Sequence, residues 1–428
     1  MTEGRSKNIF RRGKPIAGGW IERGTRLIQP VVLRMALLLG TALGCMACQT
    51  VGAAEPCREF LQGLRQRGLN ELAIDYLDQM RTSSAAPADF KDTIDYEKGI
   101  LLLAGLDAAA DRTERIAAAE KCLAAFLRQH PAHPLSMAAW AQLGRVTSER
   151  GRLQMQWAMD PRRTPPQRAD GLREARSFFE AAFRVLAVAE QQFDELQERL
   201  SQLVARGNVQ ELDRRDAARR ELLEIRLAQA ALVYETAETY SADSPQQREG
   251  LAAAAAKYHQ LYERYQQLLA GCYARLGEAR CAQELGDAKR ALAALEELFE
   301  QPDEPDAFRL MKNKALVMAL ETCLLPAVRD WKQAVAKGQQ WLTSVRPTEK
   351  TGAEGLAIQF LTGRALLETA RTRTADDSVR AATLADSRAL LAAAAQLPGV
   401  YQQPARVLLL DPLLGRNSAS PLKSATTK

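Results

Sequence analysis

The chain has 428 residues, 46% hydrophobic but only 6% aromatic, and a formal charge of +6. Eight of the 58 basic residues and two of the 52 acidic ones lie in residues 1–54, which leaves 50 of each sign in residues 55–428. A neutral body lacks the basic surface that phosphate-driven binding requires, so nucleic acid is excluded as the expected partner.

Residues 1–54 read as a leader. Basic residues from Arg5 to Arg34 precede the apolar run Met35–Ala47, and the small residues Val51-Gly52-Ala53-Ala54 follow it. A positive region, a short apolar core and a small-residue site are the parts of a secretory signal peptide. The run is shorter than the ~20 apolar residues that a membrane span needs. Cleavage after Ala53 or Ala54 is expected, and with it export to the periplasm or cell envelope. Leu43-Gly44-Cys45 sustains a competing reading, membrane attachment through a lipid anchor at Cys45. Beyond the leader, Cys57, Cys122, Cys272, Cys281 and Cys323 are odd in number and widely spaced, which suggests neither a disulfide framework nor a zinc site.

From Glu55 onward the text is rich in Ala, Leu, Glu, Arg and Gln, a composition that favours helix throughout. After Gly68, the residues Ala73, Leu77 and Met80 form one helical stripe, and Ser83–Ala88 breaks it with Ser and Pro. A helix pair follows over about Asp92–Asp107 and Arg112–Gln129, with Ala119, Leu123 and Phe126 at the same spacings of 4 and 3. His130-Pro131 ends it, because proline cannot continue a helix. The next pair opens after Pro134 with Trp140, Leu143 and Gly144, and Gly151 is expected at its turn. Its second helix is displaced by an insertion over 152–170, resumes with Ala175, Phe179 and Ala182, and then overruns to about Ala205. A second long helix runs from about Glu211 to Tyr240, so residues 172–240 read as a long antiparallel hairpin that projects beyond its neighbours. Phe193, Leu196, Leu200 and Leu203 give that hairpin a heptad-like seam, through which self-association is one expectation. Ser244-Pro245 opens a helix with Ala254, Tyr258 and Leu261 as its stripe.

Gly271–Pro302 is the clearest copy of the repeating unit. Two amphipathic helices meet at the turn Leu285-Gly286-Asp287, with Ala291, Leu295 and Leu298 behind it and Tyr273, Leu276 and Gly277 in front. A hairpin of this size cannot bury its own apolar face and implies neighbours of the same kind. Helix 307–324 then pairs with a helix from Asp330 that carries Ala334, Gly338 and Trp341. Helices over about 353–371 and 377–397 and a short one from Pro404 complete an array spanning 55–411. Residues 412–428 read as a disordered tail.

This spacing resembles the tetratricopeptide repeat (TPR) superfamily, in particular exported bacterial members with irregular repeats. Trp140–Gly151 with Ala175–Ala182, Tyr273–Leu298 and Gly68–Met80 carry the resemblance. Thr147 stands where the family has Tyr, and the turn after Gly277 is two residues longer than the family's. The resemblance implies an all-α superhelix of αα-hairpins, a TPR-like solenoid, whose first helices line a concave groove for a peptide or partner helix. It places Ala141, Arg145, Ser148 and Glu149, then Ala274, Glu278, Cys281 and Ala282, on that groove. Of these, Arg145, Glu149 and Glu278 offer charge to a partner.

Catalytic and metal motifs are missing from the text: G-x4-G-K-[ST], G-x-S-x-G and H-E-x-x-H do not occur. His130 and His133 flank helix-breaking prolines and read as turn residues, and His259 as a packed or rim histidine. The expected function is a non-enzymatic protein–protein interaction scaffold of the cell envelope, without cofactor, metal or identified small-molecule substrate. Two alternatives are an outer-membrane or envelope assembly lipoprotein and the helical clamp domain of an envelope enzyme.

Overall fold

The computed structural model describes residues 56–415 apart from 105, 107–110 and 373–376. The leader with Cys45 and the tail from Arg416 lie outside the described residues. Among the described residues there are eighteen α-helices, one 3-10 turn and no strand. The chain divides into two compact units between Ala254 and Ala255.

The first unit begins with α1 (Cys57–Gln66), α2 (Asn70–Thr82) and the short α3 (Ala88–Lys91). Then come α4 (Ile94–Leu103), α5 (Arg112–Gln129), α6 (Ser136–Met159), α7 (Pro165–Ala205) and α8 (Leu212–Glu238). Neighbours in sequence are neighbours in space: α1 packs on α2, α2 on α4, α4 on α5, α5 on α6, α6 on α7 and α7 on α8. The stripes read from sequence are the contact faces. Ala73, Leu77, Leu123 and Phe126 are fully buried in one core, and Ala175, Phe179 and Ala182 in a second. The long hairpin α7–α8 closes on its seam, with Phe193 and Leu200 buried in one cluster with Ala218, Leu222 and Ile225.

α9 (Pro245–Tyr265) spans the division, and the second unit continues with α10 (Leu269–Glu284), α11 (Ala288–Phe299), α12 (Asp306–Cys323) and α13 (Trp331–Ser344). It ends with α14 (Pro347–Lys350), α15 (Ala353–Thr372), α16 (Asp377–Gln396), α17 (Gln402–Leu409) and α18 (Pro412–Gly415). α10 pairs with α11, α11 packs on α12, and α15 packs on α12, α13 and α16. Helices α12 and α15 are buried on most faces, as expected of central layers in such a stack. Pro404 lies inside α17 rather than at its start; it occupies the first turn, where its missing N–H costs no helical bond.

Three hairpin turns share one backbone device. Gly68, Gly207 and Gly286 adopt φ of +70°, +94° and +84°. The N–H groups of Leu69, Asn208 and Asp287 then donate back to the carbonyls of Leu64, Leu203 and Ala282, five residues earlier, at 2.9–3.1 Å. This six-residue closure satisfies carbonyls that the ending helix leaves open, and glycine reaches it without a Cβ penalty. Asp287 then caps the next helix, accepting from the Arg290 N–H at 3.0 Å. Gly286→Ala is therefore expected to lower stability by about 1 kcal/mol. Gly63→Ala, in mid-helix with open space around its Cβ position, should raise it by up to about 1 kcal/mol. Urea denaturation of the two variants checks the opposite signs.

One expectation is corrected. Gly151 is not at a turn but inside α6, which runs eight residues further, and no separate insertion exists over 152–170. A Cβ at Gly151 would lie 2.6 Å from the Phe179 ring, so this glycine serves close helix packing. The prolines expected to interrupt the chain instead start α7: Thr164 forms a capping box with Gln167, and Pro165-Pro166 occupy the first helical positions.

Candidate functional site

On α6, the stripe that the resemblance assigns to a groove is covered. Ala141 and Ser148 are buried, and Arg145 and Glu149 are half-buried. Arg145 donates to Glu221 at 2.5 Å and to Glu224 at 3.1 Å, both on α8. Seven residues later on the same face, Arg152 donates to Glu235 of α8 at 2.8 Å. Glu149 accepts from Arg152 at 3.3 Å and from Arg112 of α5. Long side chains thus tie α6 to α5 on one side and to α8 on the other. Burial pushes the Glu235 carboxyl above its ordinary range, and the Arg152 guanidinium only partly restores it. Glu224 is raised by burial in the same way, against the pull of Arg145.

In the second unit, Ala274, Glu278, Cys281 and Ala282 are all buried. The Glu278 carboxylate accepts from Arg275 at 2.6 Å and from Arg290 at 2.9 Å, and sits 3.2 Å from His259 Nδ1. Burial disfavours its charge, but the two guanidinium groups and His259 outweigh burial and hold it below its ordinary value. Gly277, on the same helix, lets Tyr258 of α9 approach so closely that a Cβ would lie 2.6 Å from the ring. Arg145, Glu149 and Glu278 are therefore not free charges. Each is committed within the chain, and a partner reaching it would have to displace an internal ion pair.

The histidines follow the sequence reading as local structure. The rings of His130 and His133 pack on Phe126 at 5.6 and 5.4 Å, and His133 Nδ1 accepts from the Leu135 N–H at 3.1 Å. A cleft of about 520 Å³ opens between this turn and α7, lined by His133, Met137, Gln192, Glu195 and Arg199. Cys57, Cys272, Cys281 and Cys323 are buried, where the thiol behaves as a small hydrophobe. Burial pushes the Cys272 and Cys323 thiols up to about 11, far from nucleophilic.

Sequence reading missed one exposed surface. On the first described helix pair, α1–α2, Phe60, Leu69 and Leu72 are 48%, 44% and 52% exposed, and the Phe60 ring meets the Tyr76 ring tilted by 60°, with 4.7 Å between centroids. Leu69, Leu72 and Tyr76 share the 3-and-4 spacing of one helical stripe, which was the available signal. The fold and these surfaces define the class: an all-α protein of consecutively packed helices, solenoid-like in each unit. No protein-family model matches the chain, and no curated protein matches it in sequence.

Proposed function

We propose that the protein is a non-enzymatic interaction scaffold of the cell envelope, built from TPR-like helix pairs, that binds an amphipathic helix or peptide of a partner protein. The observation that carries this reading is the outer face of α1–α2. In a helical stack, each pair buries its apolar face on the next, and terminal pairs ordinarily carry a polar outer face. Here the first pair among the described residues exposes Phe60, Leu69 and Leu72, so a partner helix seated on it would continue the packing seen between α2 and α4. The envelope setting rests on the leader pattern in residues 1–54.

The test is affinity capture from envelope extract with wild type and Leu72→Glu, followed by identification of the captured helix by cross-linking. The expected result is one partner cross-linked near α1–α2 and lost with Leu72→Glu. Recovery of nothing above background, or capture indifferent to Leu72→Glu, would remove the reading.

A further inference from the structure

The turn between α6 and α7 is an aromatic and basic tip. Trp157 and Met159 are 37% and 45% exposed. Arg162, Arg163 and Arg168 follow within the turn and the first turn of α7, and Asp160 is the single acidic residue among residues 157–168. The Arg162 side chain is 90% exposed.

The tip is held in shape. Asp160 Oδ1 accepts from the Arg162 N–H at 2.9 Å and from its Nε at 3.2 Å. The Arg163 guanidinium lies over the Trp157 ring, 4.2 Å from the centroid. Gly171 of α7 clears space for the same indole: a Cβ there would lie 3.0 Å from two of its ring carbons. The Thr164–Gln167 capping box and Pro165-Pro166 then fix the chain direction. From 161 to 170 every residue except Arg163 is exposed, so the tip is convex and presents side chains rather than a pocket.

We propose that this tip is a membrane-surface contact, placing Trp157 and Met159 at the headgroup level of an anionic bilayer with Arg162, Arg163 and Arg168 on lipid phosphates. Indole rings favour the membrane–water interface, where an apolar body and a polar edge are both satisfied. Arginines beside an anionic leaflet each add attraction that fades within a Debye length. A convex tip with long cationic side chains suits a fluid headgroup layer, which supplies phosphates wherever the arginines fall; an acidic protein segment would have to match their positions. The contact uses neither the α1–α2 face nor the leader, so it stands or falls apart from the scaffold reading.

The experiment uses the full chain with phosphatidylcholine vesicles that contain or lack phosphatidylglycerol. Two variants are compared with wild type: Trp157→Phe, and the triple change Arg162→Ser, Arg163→Ser, Arg168→Ser. Co-sedimentation with the anionic vesicles should weaken with added salt and drop by about tenfold or more in the triple variant. Brominated acyl chains should quench a tryptophan component that is present in wild type and missing in Trp157→Phe. Equal quenching in both proteins, or undiminished binding by a helical triple variant, would overturn the proposal. Loss of poly-glutamate binding in the triple variant, with no vesicle binding by wild type, would also overturn it and assign the tip to an acidic protein. If circular dichroism shows the triple variant unfolded, the Trp157→Phe comparison alone decides.

Discussion

Glu278→Ala is expected to destabilise the 255–415 unit by about 3 kcal/mol, because it strands the Arg275 guanidinium in a buried site. The Arg275 side chain is only 13% exposed and holds Glu278 and Glu297 together; removing Glu278 leaves it one carboxylate at the partly exposed edge. Glu278→Gln keeps an acceptor oxygen at the same place and should cost about 1–2 kcal/mol. Urea denaturation gives the totals, and amide hydrogen exchange in α10 and α11 localises the loss. Equal stability of Glu278→Ala and wild type would mean that the network is decorative.

The same carboxylate sets a pH dependence. Its folded-state pKa lies below its unfolded value, so the stability it contributes is complete above the unfolded pKa, about 4.3, and is lost as pH falls through the depressed folded value. Glu278→Gln should flatten that acid limb in the second unit. Glu235 acts in the opposite sense. Its pKa is raised by burial, so the cost of keeping it charged is present above the raised value and disappears as pH falls through it towards the unfolded value. Comparing exchange in α8 with that in α10 as pH falls from neutral to about 3, through and below the unfolded carboxylate value, should therefore show α10 loosening first.

The hairpins were legible because their physics is local. Gly286 needs a positive φ, Asp287 caps the next helix, and Ala291, Leu295 and Leu298 repeat at helical spacing, all within thirteen residues. The charged positions were not legible for the opposite reason. Arg145 looks like a solvent-facing charge until α8 supplies Glu221 and Glu224, 76 and 79 residues away, and no local pattern encodes that meeting. A weaker signal was present: Arg145 and Arg152 lie seven apart on one face of α6, and α8 carries carboxylates in the same chain direction. Gly151 failed differently. Glycine serves both turns and close helix contacts, and the letter alone does not separate them; Leu153 and Trp157, four apart after it, are the local spacing that fits continued helix.

That distinction has a measurable consequence at Phe179, whose ring is fully buried against Gly151. Phe179→Ala should cost the 56–254 unit about 3–5 kcal/mol through lost burial and the cavity left between α6 and α7. Gly151→Ala alone should also destabilise, by about 1–3 kcal/mol, because the new methyl meets the ring and the Ala175 carbonyl lies 3.3 Å from the same point. In the Phe179→Ala background the ring is gone, and Gly151→Ala should instead stabilise by up to about 1 kcal/mol through helix propensity and partial filling of the cavity. A double-mutant cycle by urea denaturation measures this reversal as a coupling between residues in contact. A turn glycine would behave otherwise: its replacement would cost the same whether or not Phe179 is present, because the strain would lie in its own backbone.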